Sequence, residues 1–344
     1  MRVAIDISNL HKFSKGRGIG YYSQNLIDAL KKYTDLDVMV IEEKTDFPKV
    51  DIIHYPFFDF FRTTLPLNKK VPTVVTIHDV IPLKFPAHYP PGLRGKIKHI
   101  IQKFALKNID AVITDSNSSK KDISQILNIP DNKIHTVYLA ASDHFKLIKD
   151  LKILNKVKKK YTLPDKFALY VGSVNWNKNL NNLAKTCMET GIDLVLVGGD
   201  FTKSDSLNHP ELKDFKKFIE EFEDNPKVHI LGFVEDEDLV SVYNLAEVTL
   251  LVSFYEGFGL SILESQACGT PVITSNVSSM PEVAGEGALL IDPENIEEIK
   301  KAIISIFEDD KFSKDLINKG LRNSEKYSWK NVANETSKLY RNIL

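Results

Sequence analysis

The feature that most constrains this fold is a regular alternation of short apolar runs with longer, helix-like segments. Twelve runs of five to seven residues are rich in valine, isoleucine and leucine, from MRVAIDI at the N-terminus to ALLID at 288–292. Several of them are almost continuously apolar, which is typical of strands that are covered on both faces. Such strands, separated by helices, predict an α/β protein with parallel sheets.

Six of these strands fall in each half of the chain, and helices are predicted between them. The predicted helices are 19–31, about 92–107, 117–127, about 179–190, 210–223, 236–245, 260–268 and 294–307. The final segment, YSWKNVANETSKLYRNIL, repeats Trp329, Val332, Tyr340 and Leu344 at roughly helical spacing. We therefore predict an amphipathic helix there, which could pack against either half.

The length of the chain predicts two domains, because 344 residues exceed the size at which a single hydrophobic core stops growing. Segment 147–166 is rich in charge and is closed by Pro164, so it is predicted to be a connection, with the domain boundary near residue 150. We expect two doubly wound, Rossmann-like domains that face each other across a central cleft. Ligands bind such sheets at the carboxyl ends of the strands, so the chemistry should lie in loops that follow strands.

Composition excludes several classes of partner. The 45 basic and 46 acidic side chains give a net charge of −1, which offers nothing to attract nucleic acid. Two cysteines are too few for a disulfide framework and fit a reducing compartment. The N-terminus lacks the apolar run of a signal peptide, and no stretch approaches the roughly 20 apolar residues of a membrane span. We expect a cytoplasmic protein whose contact with a membrane, if any, is peripheral.

Two loops of the first half carry candidate site residues. Gly16, Gly18 and Gly20 precede a helix, but their G-x-G-x-G spacing and the eight residues after Ile7 disfavour a NAD fingerprint. We interpret them as a close backbone approach to an anionic ligand at a helix N-terminus, with a flexible loop as the alternative. His78 ends an apolar strand, which favours a ring directed into the cleft, although a lone histidine is more often structural.

Three strand ends in the second half offer glycines, a cation or an aromatic ring. One strand ends at Gly172, and Lys178 opens the next helix, where a cation can hold phosphate. Gly198 ends another strand and could admit a ligand to the backbone, while Phe233 follows a third and could border a flat base. The alternatives are an ordinary surface lysine and plain turns.

The stretch SFYEGFGLSILESQ, residues 253–266, places two acids around a glycine turn. A helix begins near Leu260, so the N–H groups of Gly259, Leu260 and Ser261 are predicted to be unpaired donors for an anion. Glu264 lies within this helix and could accept hydrogen bonds from ribose hydroxyls, whereas Glu256 precedes the turn and projects elsewhere. A charge favoured at a helix end would explain the position of each acid, but not the accompanying glycines.

No metal site is predicted. Histidine and cysteine do not cluster at the spacing of zinc ligands. The two D-x-D triplets, Asp35–Asp37 and Asp236–Asp238, lie before a strand and at a helix start, where acids serve as caps, so we interpret both as structural.

These motifs together resemble a known family. The block EGFGLSILESQACGTPVITSNVSSMPEVAG is similar to the E-x7-E region of retaining, nucleotide-sugar-dependent glycosyltransferases of family four, which have the GT-B fold. The segments GIGYYSQNL, TIHDVIPL, ITDSNSSKKDI, LYVGSVNWNKNL and VHILGFVEDEDLVSVYNLAEV also resemble motifs of that family, in the family order. The final segment resembles the helix that returns to the N-terminal domain. The resemblance thus implies one domain of 1–150 plus about 326–344 and a second domain of 151–325.

The resemblance implies a role for each candidate residue. Glu264 would hold the donor ribose, Glu256 would contact the transferred sugar near its 3- and 4-hydroxyls, and His78 would lie by the anomeric centre and the 6-hydroxyl. Lys178 would stabilise the leaving diphosphate, which the amides of 259–261 would bind. The expected catalytic residues are His78, Glu256 and Lys178. The expected donor-binding residues are Gly18, Gly172, Ser173, Lys178, Gly198, Phe233, Glu256, Phe258, Gly259, Leu260, Ser261 and Glu264.

In one respect the chain departs from the family's pattern. Family members often carry an arginine directly after the glycine that matches Gly172, or directly before the lysine that matches Lys178. Ser173 and Asn177 occupy those positions here. Neutralisation of the phosphates would then depend on Lys178 and on helix dipoles.

The resemblance implies a retaining hexosyltransferase that uses a nucleotide-diphosphate sugar, with no metal or other cofactor. The style of its motifs is closest to mannosyltransferases that use GDP-mannose, and the acceptor would be a glycan or a lipid-linked glycan, as in polysaccharide and lipopolysaccharide biosynthesis. The alternatives are a UDP-sugar-dependent transferase, a GT-B-like nucleotide-sugar epimerase, and a non-catalytic nucleotide-sugar-binding partner.

Segment 90–108 bears on the acceptor. Its sequence, PPGLRGKIKHIIQKFALKN, interleaves five basic residues with apolar ones. This pattern is typical of a helix that lies on an anionic membrane, here the inner face of the cell membrane. A surface helix that packs on its own sheet explains the pattern equally well.

Overall fold

The computed structural model describes residues 1–10, 18–43, 49–202 and 209–344. The chain divides into two compact units, one of Met1–Ala140 with Ser328–Leu344 and the other of Ala141–Tyr327. Each unit contains a six-stranded sheet, and the twelve predicted strands are all present. The prediction of an α/β protein with parallel sheets is confirmed.

The first unit draws its strands and four of its helices from the first 140 residues. The strands are β1 (Arg2–Asp6), β2 (Asp37–Ile41), β3 (Ile52–Tyr55), β4 (Thr73–Thr76), β5 (Ala111–Thr114) and β6 (Ile134–Thr136). The helices are α1 (Gly18–Tyr33), α2 (Ile81–Lys84), α3 (Gly92–Leu106) and α4 (Asn117–Leu127).

The strand order of the first sheet is β2-β1-β3-β4-β5-β6. Val3 pairs with Val38 on one side and with Ile52 on the other, so β1 lies inside the sheet. Every residue of β3, β4 and β5 is buried, which explains their continuous apolar character. The direction of winding changes between β1 and β3, and a ligand crevice is expected at such a switch point.

The second unit repeats this construction with more helices. Its strands are β7 (Phe167–Val171), β8 (Asp193–Val197), β9 (Val228–Gly232), β10 (Val248–Leu251), β11 (Val272–Ser275) and β12 (Leu289–Ile291). Its helices are α5 (Leu151–Lys160), α6 (Leu180–Thr190), α7 (Lys213–Phe222), α8 (Asp236–Leu245), α9 (Leu260–Ala267), α10 (Met280–Ala284), α11 (Ile296–Glu308) and α12 (Asp310–Ser324). The strand order is β12-β11-β10-β7-β8-β9, so the switch point lies between β7 and β10.

The charged segment 147–166 was predicted to be a connection, and this prediction is wrong. The segment contains helix α5. Leu154 and Val157 are buried on one side of this helix, while its lysines cover the other. The helix packs against α8, and the Lys160 Nζ lies 2.5 Å from the Asp238 Oδ2. The high charge that suggested a linker therefore belongs to the solvent face of an amphipathic helix.

The second unit begins at Ala141, before the predicted boundary near residue 150. The Phe145 ring contacts the Tyr243 ring edge-on at a centroid distance of 5.7 Å. The Ile148 N–H donates to the Asn244 side chain over 2.7 Å. Residues 141–150 are thus held by α8 of the second unit, which accounts for the earlier boundary.

Helix α12 is absent from the predictions because it carries a glycine in its interior, which normally disfavours a helix. A Cβ atom on Gly287 would lie 2.5 Å from the Gly320 Cα. The backbones of these two segments therefore touch, which requires glycine at position 287, and a Cβ on Gly320 would itself lie in a tight contact 3.1 Å from the Gln266 Cγ.

The last helix, α13 (Trp329–Ile343), is the predicted amphipathic helix, and it packs against α1 in the first unit. Ser328 caps it, since its Oγ accepts a hydrogen bond from the Asn331 N–H over 3.2 Å. Trp329, Val332 and Tyr340 are buried. The chain thus returns to the first unit after completing the second.

Candidate functional site

Most of the predicted residues of the second unit lie in two loops at the switch point of its sheet, whereas Gly198 and Phe233 follow β8 and β9. Gly172 and Ser173 follow β7, and a 3-10 turn carries Lys178 to the start of α6. The loop after β10 holds Glu256 and leads into α9. Because β7 and β10 are neighbours in the sheet, their loops leave the same edge side by side. The fold therefore brings together side chains that are 78 residues apart in the chain.

Lys178 and Glu256 form an ion pair at this edge. The Lys178 Nζ lies 2.6 Å from Oε1 and 2.8 Å from Oε2 of Glu256. The two side chains are only 17% and 9% exposed, so little water screens their attraction. Each charge is stabilised by the other, because an unpaired charge that is largely shielded from water destabilises the folded state. A ligand with phosphate and hydroxyl groups could replace each partner of this pair.

Three serines hold Glu256 in place. The Ser253 Oγ donates to the Glu256 Oε1 over 2.6 Å. The Glu256 N–H donates to the Ser278 Oγ over 3.2 Å, and the Glu256 carbonyl accepts from the Ser279 Oγ over 3.0 Å. Both the carboxylate and the backbone of Glu256 are therefore fixed before any ligand arrives.

Asn177 joins the two loops. Its Nδ2 donates to the Tyr255 carbonyl over 2.8 Å, and its own carbonyl accepts from the Phe254 N–H over 2.8 Å. The side chain is buried. Where family members often carry an arginine, this chain thus uses an amide that sets the distance between the Lys178 loop and the Glu256 loop.

The N-terminus of α9 is shaped by Gly259. Its φ of +97° lies in the left-handed region, and an added Cβ would approach the Ile262 Cδ1 to 3.1 Å. Leu260 and Ser261 form the first turn, and within the described residues no side chain caps this helix. The amides of that turn are thus free of a side-chain cap from position 259, and their role as donors for an anion stays a prediction.

Glu264 lies about one turn further along α9, where the Tyr243 hydroxyl donates to its Oε2 over 2.8 Å. Burial raises the pKa of Glu264 to about 7, the Tyr243 hydrogen bond opposes that rise, and the negative charge of Asp236 adds to it. Glu264 therefore changes its protonation state close to neutral pH.

The glycines at three strand ends pack against one another. The Gly172 N–H donates to the Val197 carbonyl over 3.0 Å, and the Gly198 N–H donates to the Gly232 carbonyl over 2.8 Å. A Cβ on Gly198 would lie 2.1 Å from the Gly172 carbonyl oxygen. Glycine at 198 is therefore required by strand packing, a reason that the sequence pattern does not reveal.

The two predicted aromatic residues differ in environment. Phe233 is 51% exposed just after β9, where a ring could border a base. Phe258 is only 5% exposed, and its ring packs edge-on against Tyr327 at 6.4 Å. The Phe258 ring is thus part of the interior. Only the backbone of Phe258 is left for the predicted contact with the nucleotide-sugar donor. Ser173 likewise offers its backbone to the interior, since its carbonyl accepts from the Tyr170 hydroxyl over 2.6 Å.

His78 of the first unit is paired with an acid that the sequence motifs did not single out. His78 follows β4 and Asp115 follows the neighbouring β5. The His78 Nδ1 lies 2.6 Å from the Asp115 Oδ2, and the side chains are 16% and 4% exposed. Burial by itself lowers the pKa of His78, but the charge and hydrogen bond of Asp115 outweigh it, so the pKa is raised overall.

A buried hydrogen-bonded chain supports His78. The Tyr22 ring stands edge-on to the His78 ring at a centroid distance of 4.7 Å. The Tyr22 hydroxyl and the His54 Nε2 lie 3.0 and 2.8 Å from the Thr76 Oγ1. The His54 Nδ1 lies 2.6 Å from the Tyr340 hydroxyl. Burial lowers the pKa of His54 to about 3, so this chain remains neutral and fixes α1 and α13 around His78.

Gly18 is the first residue of α1, and within the described residues nothing lies within 4 Å of the Cβ that it lacks. Local packing therefore does not explain a glycine there. Of the other two glycines predicted at this loop, Gly20 lies within α1 and Gly16 lies outside the described residues.

Asp115, Tyr243 and the three serines around Glu256 are the residues that sequence reasoning missed. Asp115 ends the strand-like run DAVITD just as His78 ends TVVTIH, so the strand-end rule could have found it. Nothing comparable marks Ser278 or Ser279, which reach Glu256 from 22 and 23 residues further along the chain.

In the parts of the chain that the structure describes, no group of three or more His, Cys, Asp or Glu side chains is arranged to hold a metal ion. The D-x-D triplets serve ion pairs instead. Asp37 lies 2.6 Å from the Arg2 Nε, and Asp238 pairs with Lys160. Both contacts agree with the structural interpretation of these acids.

Among its described residues, the second unit thus places the Lys178 ammonium, the N-terminus of α9 and the carboxylates of Glu256 and Glu264 along a single sheet edge. The cation and the amides suit phosphate, and the carboxylates suit hydroxyl groups. This combination matches a ligand that carries both phosphates and sugars.

Family models match both halves of the chain. The model described as glycosyl transferases group 1 matches residues 152–322, and the model described as glycosyltransferase family 4 matches residues 16–142. The two matches divide the chain close to the boundary between the structural units.

Similar proteins agree with these matches. O-antigen chain mannosyltransferase B of Escherichia coli is 30% identical over 276 residues, which cover 78% of this chain and 70% of that protein. The serotype-specific mannosyltransferase WbdA of Escherichia coli is 27% identical over 288 residues, so this chain matches 80% of its own length but only 34% of WbdA. The crystal structure of Anabaena HepE in complex with UDP-glucose superposes with a TM-score of 0.76 at 16% identity, over 99% of this chain and all of that one.

Proposed function

Because this chain belongs to glycosyltransferase family 4 and has the two-domain α/β architecture of the GT-B fold, we propose that it is a retaining hexosyltransferase that uses GDP-mannose. The proposed acceptor is a glycan or a lipid-linked glycan of the kind used in polysaccharide and lipopolysaccharide biosynthesis. Mannose is supported by the relatives in Escherichia coli, which are described as mannosyltransferases of the O-antigen chain or of a serotype-specific kind.

The observation that carries the proposal is the Lys178–Glu256 pair beside the N-terminus of α9 at the switch point of the second sheet. In the proposed complex the diphosphate binds to Lys178 and to the amides of 259–261. The Glu256 carboxylate, no longer paired with the Lys178 ammonium, then accepts hydrogen bonds from the 3- and 4-hydroxyls of the sugar. Glu264 accepts hydrogen bonds from the ribose, and Phe233 borders the base.

The proposed mechanism follows from where charge develops. As the anomeric bond breaks, the sugar gains positive charge and the diphosphate gains negative charge, which Lys178 and the α9 amides stabilise. The acceptor oxygen forms its bond on the face that the diphosphate leaves, and the departing phosphate oxygen takes the acceptor proton. This sequence retains the anomeric configuration and requires neither a protein base nor a metal. His78 contacts the sugar near its anomeric centre and 6-hydroxyl.

A UDP-sugar is the second candidate donor, since the structural neighbour HepE is described in complex with UDP-glucose. Stacking on Phe233 does not select between guanine and uracil, because both bases present a flat face. The selection between these donors must therefore come from polar contacts to the base and to the sugar.

A donor screen by thermal shift tests the proposal, because a ligand that binds the folded state raises Tm in step with its affinity. We expect GDP-mannose to raise Tm more than UDP-glucose or UDP-galactose does. A shift with the UDP-sugars alone would replace the proposed donor, and no shift with any nucleotide sugar would contradict the proposal.

Product NMR then reports the anomeric configuration, and an assay with EDTA tests independence from metal. A changed configuration of the donor sugar, produced without acceptor, would indicate an epimerase.

Glu264 gives the first prediction for a variant. Replacing Glu264 by alanine is expected to weaken donor binding about 10- to 100-fold, because one or two hydrogen bonds from hydroxyls to a carboxylate are lost. In the wild type the pKa of about 7 implies that donor affinity rises between about pH 6 and pH 8, as the carboxylate loses its proton. Glu264→Gln should abolish that rise.

Titration of the donor against each variant by calorimetry measures both effects. Glu247 provides a matched control, since it is an acid of the same unit that is paired near the surface with Lys166 at 3.9 Å. Glu247→Gln should leave affinity and its pH dependence unchanged. Wild-type affinity in Glu264→Ala would remove the ribose assignment.

A further inference from the structure

Helix α3 exposes an apolar stripe that no part of the described chain covers. Leu93, Ile97, Ile100 and Phe104 are 78%, 55%, 57% and 54% exposed. Their spacing of four, three and four residues places all of them on one side of the helix. Single exposed apolar side chains are ordinary, but a continuous stripe of four marks an interaction surface.

The opposite side of α3 is fixed to the first unit, so the stripe cannot turn inward. Gln102 is fully buried, and its Oε1 accepts from the N–H groups of Thr64 and Leu65 over 2.8 and 3.1 Å. Its Nε2 donates to the Leu65 carbonyl over 3.1 Å. Gly95 is also buried, and a Cβ there would lie 3.5 Å from the Phe61 Cβ. These contacts set the rotation of the helix and leave the stripe directed outward.

Basic side chains flank the stripe on both sides. With about 3.6 residues per turn, Arg94 and Lys98 fall on one flank, and Lys96, Lys103 and Lys107 fall on the other. All five are exposed. Residues 92–109 contain no aspartate or glutamate. The result is an apolar strip within a border of positive charge only.

We propose that this face of α3, the stripe with its basic border, binds the surface of an anionic lipid bilayer. Apolar side chains enter the boundary between headgroups and acyl chains, while lysine and arginine contact the anionic headgroups. A second copy of the chain fits less well, because a symmetric contact through this face would bring the same positive charges together. In the described ranges no helix is both long and apolar enough to cross a membrane, so the proposed contact lies at the surface.

The proposal concerns the first unit alone and does not depend on which sugar is transferred. The two interpretations that the sequence left equal are compatible, because packing of α3 on its own sheet uses a different side of the helix from the stripe. The donor screen and the membrane test can therefore fail independently.

Flotation with vesicles of phosphatidylcholine, with or without phosphatidylglycerol, tests the proposal on the full chain. We expect binding to the vesicles that contain phosphatidylglycerol, and we expect it to weaken as salt is raised. Ile97→Ser/Phe104→Ser and Lys96→Glu/Lys103→Glu should each lower the partition coefficient about tenfold or more. Because all four side chains are exposed, Tm should stay at the wild-type value in both variants.

Helix α5 offers a matched control, since it is also basic and carries the exposed side chains Leu151 and Ile153. These two lie on different sides of the helix, two residues apart, and form no stripe. Leu151→Ser/Ile153→Ser should leave vesicle binding unchanged.

Three results would overturn the proposal. The first is a wild-type protein that does not bind vesicles with phosphatidylglycerol at low salt. The second is full binding by either α3 variant, or an equal loss in the α5 control. The third is sedimentation that shows a dimer broken by Ile97→Ser/Phe104→Ser, with no vesicle binding, since the stripe would then serve a second copy.

Discussion

Replacing Lys178 by methionine is expected to lower kcat by about 10²- to 10³-fold. The ammonium group is proposed to stabilise the diphosphate as it gains charge, so its loss should act on the transition state more than on donor affinity. Release of the nucleoside diphosphate from the donor found in the thermal-shift screen measures kcat, for transfer where an acceptor is supplied and for donor hydrolysis where water takes the sugar. Lys178→Arg keeps the charge and should retain more activity than the methionine variant.

The same substitution should also destabilise the fold. Without Lys178, the Glu256 carboxylate, which is 9% exposed, loses its cation. We expect the free energy of unfolding to fall by about 3 kcal/mol, because one charge of a largely buried pair is left alone. Urea unfolding of the wild type and the variant measures this difference. A loss of stability could therefore imitate a loss of catalysis.

The double variant Lys178→Met/Glu256→Gln separates the two effects. It removes both charges, so most of the lost stability should return, while kcat should stay low because the cation at the diphosphate and the carboxylate at the sugar hydroxyls are both absent. Recovery of kcat would mean that Lys178 serves only to neutralise Glu256. Lys160→Met is the matched control, since Lys160 pairs with Asp238 at 2.5 Å but is 55% exposed. Because solvent screens this exposed pair, its loss should cost far less stability than the loss of Lys178 and should leave kcat unchanged.

The strand pattern of this chain could be predicted because the signal is local. Each buried parallel strand is a short apolar run, and the loops after these runs contain His78, Lys178 and Glu256. The rule that ligands bind at the carboxyl ends of strands then selects these residues from many others of the same type. A glycine turn before α9 marks a helix N-terminus in the same local way.

The supporting contacts could not be predicted, because they depend on which loops the fold brings together. The sequence does not reveal that Lys178 meets Glu256, since that contact requires β7 and β10 to be neighbours in the sheet. Helix α5 could not be predicted for a different reason. Its lysines give the segment the composition of a linker, although Leu154 and Val157 are buried in the structure. Gly198 shows a third case, where a glycine that suggests a ligand is required by strand packing.

The second large effect is expected at His78. Replacing His78 by alanine should lower kcat about 100-fold with little change in donor KM, because the ring is proposed to contact the sugar at the reacting centre. Release of the nucleoside diphosphate at saturating donor separates kcat from KM. A rise in KM with an unchanged kcat would place His78 in ground-state binding instead.

Asp115 is expected to act through His78, and pH reveals this. In the wild type Asp115 raises the pKa of His78, so the pair stabilises the fold below about pH 6.5, and this contribution is lost as the pH rises through the raised pKa. In Asp115→Asn burial remains as the main influence, and the pKa of His78 should fall below its ordinary value. The difference in unfolding free energy between wild type and variant should therefore be larger at about pH 6 than at about pH 8.

A second histidine–aspartate pair in the chain provides the control for this prediction. The His229 Nε2 lies 2.8 Å from the Asp193 Oδ1, and both side chains are more exposed than those of the first pair. Asp193 begins β8, at the opposite edge of the second sheet from the carboxyl ends of its strands. Asp193→Asn should therefore leave kcat unchanged.

The two readouts together decide what Asp115 does. NMR measures the pKa of His78 in the wild type and in Asp115→Asn. If the substitution lowers this pKa and moves the pH profile of kcat in the same direction, Asp115 sets the protonation of a ring that takes part in transfer. If the pKa falls while the pH profile of kcat stays in place, the protonation of His78 is irrelevant to the reaction. The His78–Asp115 pair would then serve only to hold the carboxyl ends of β4 and β5 together.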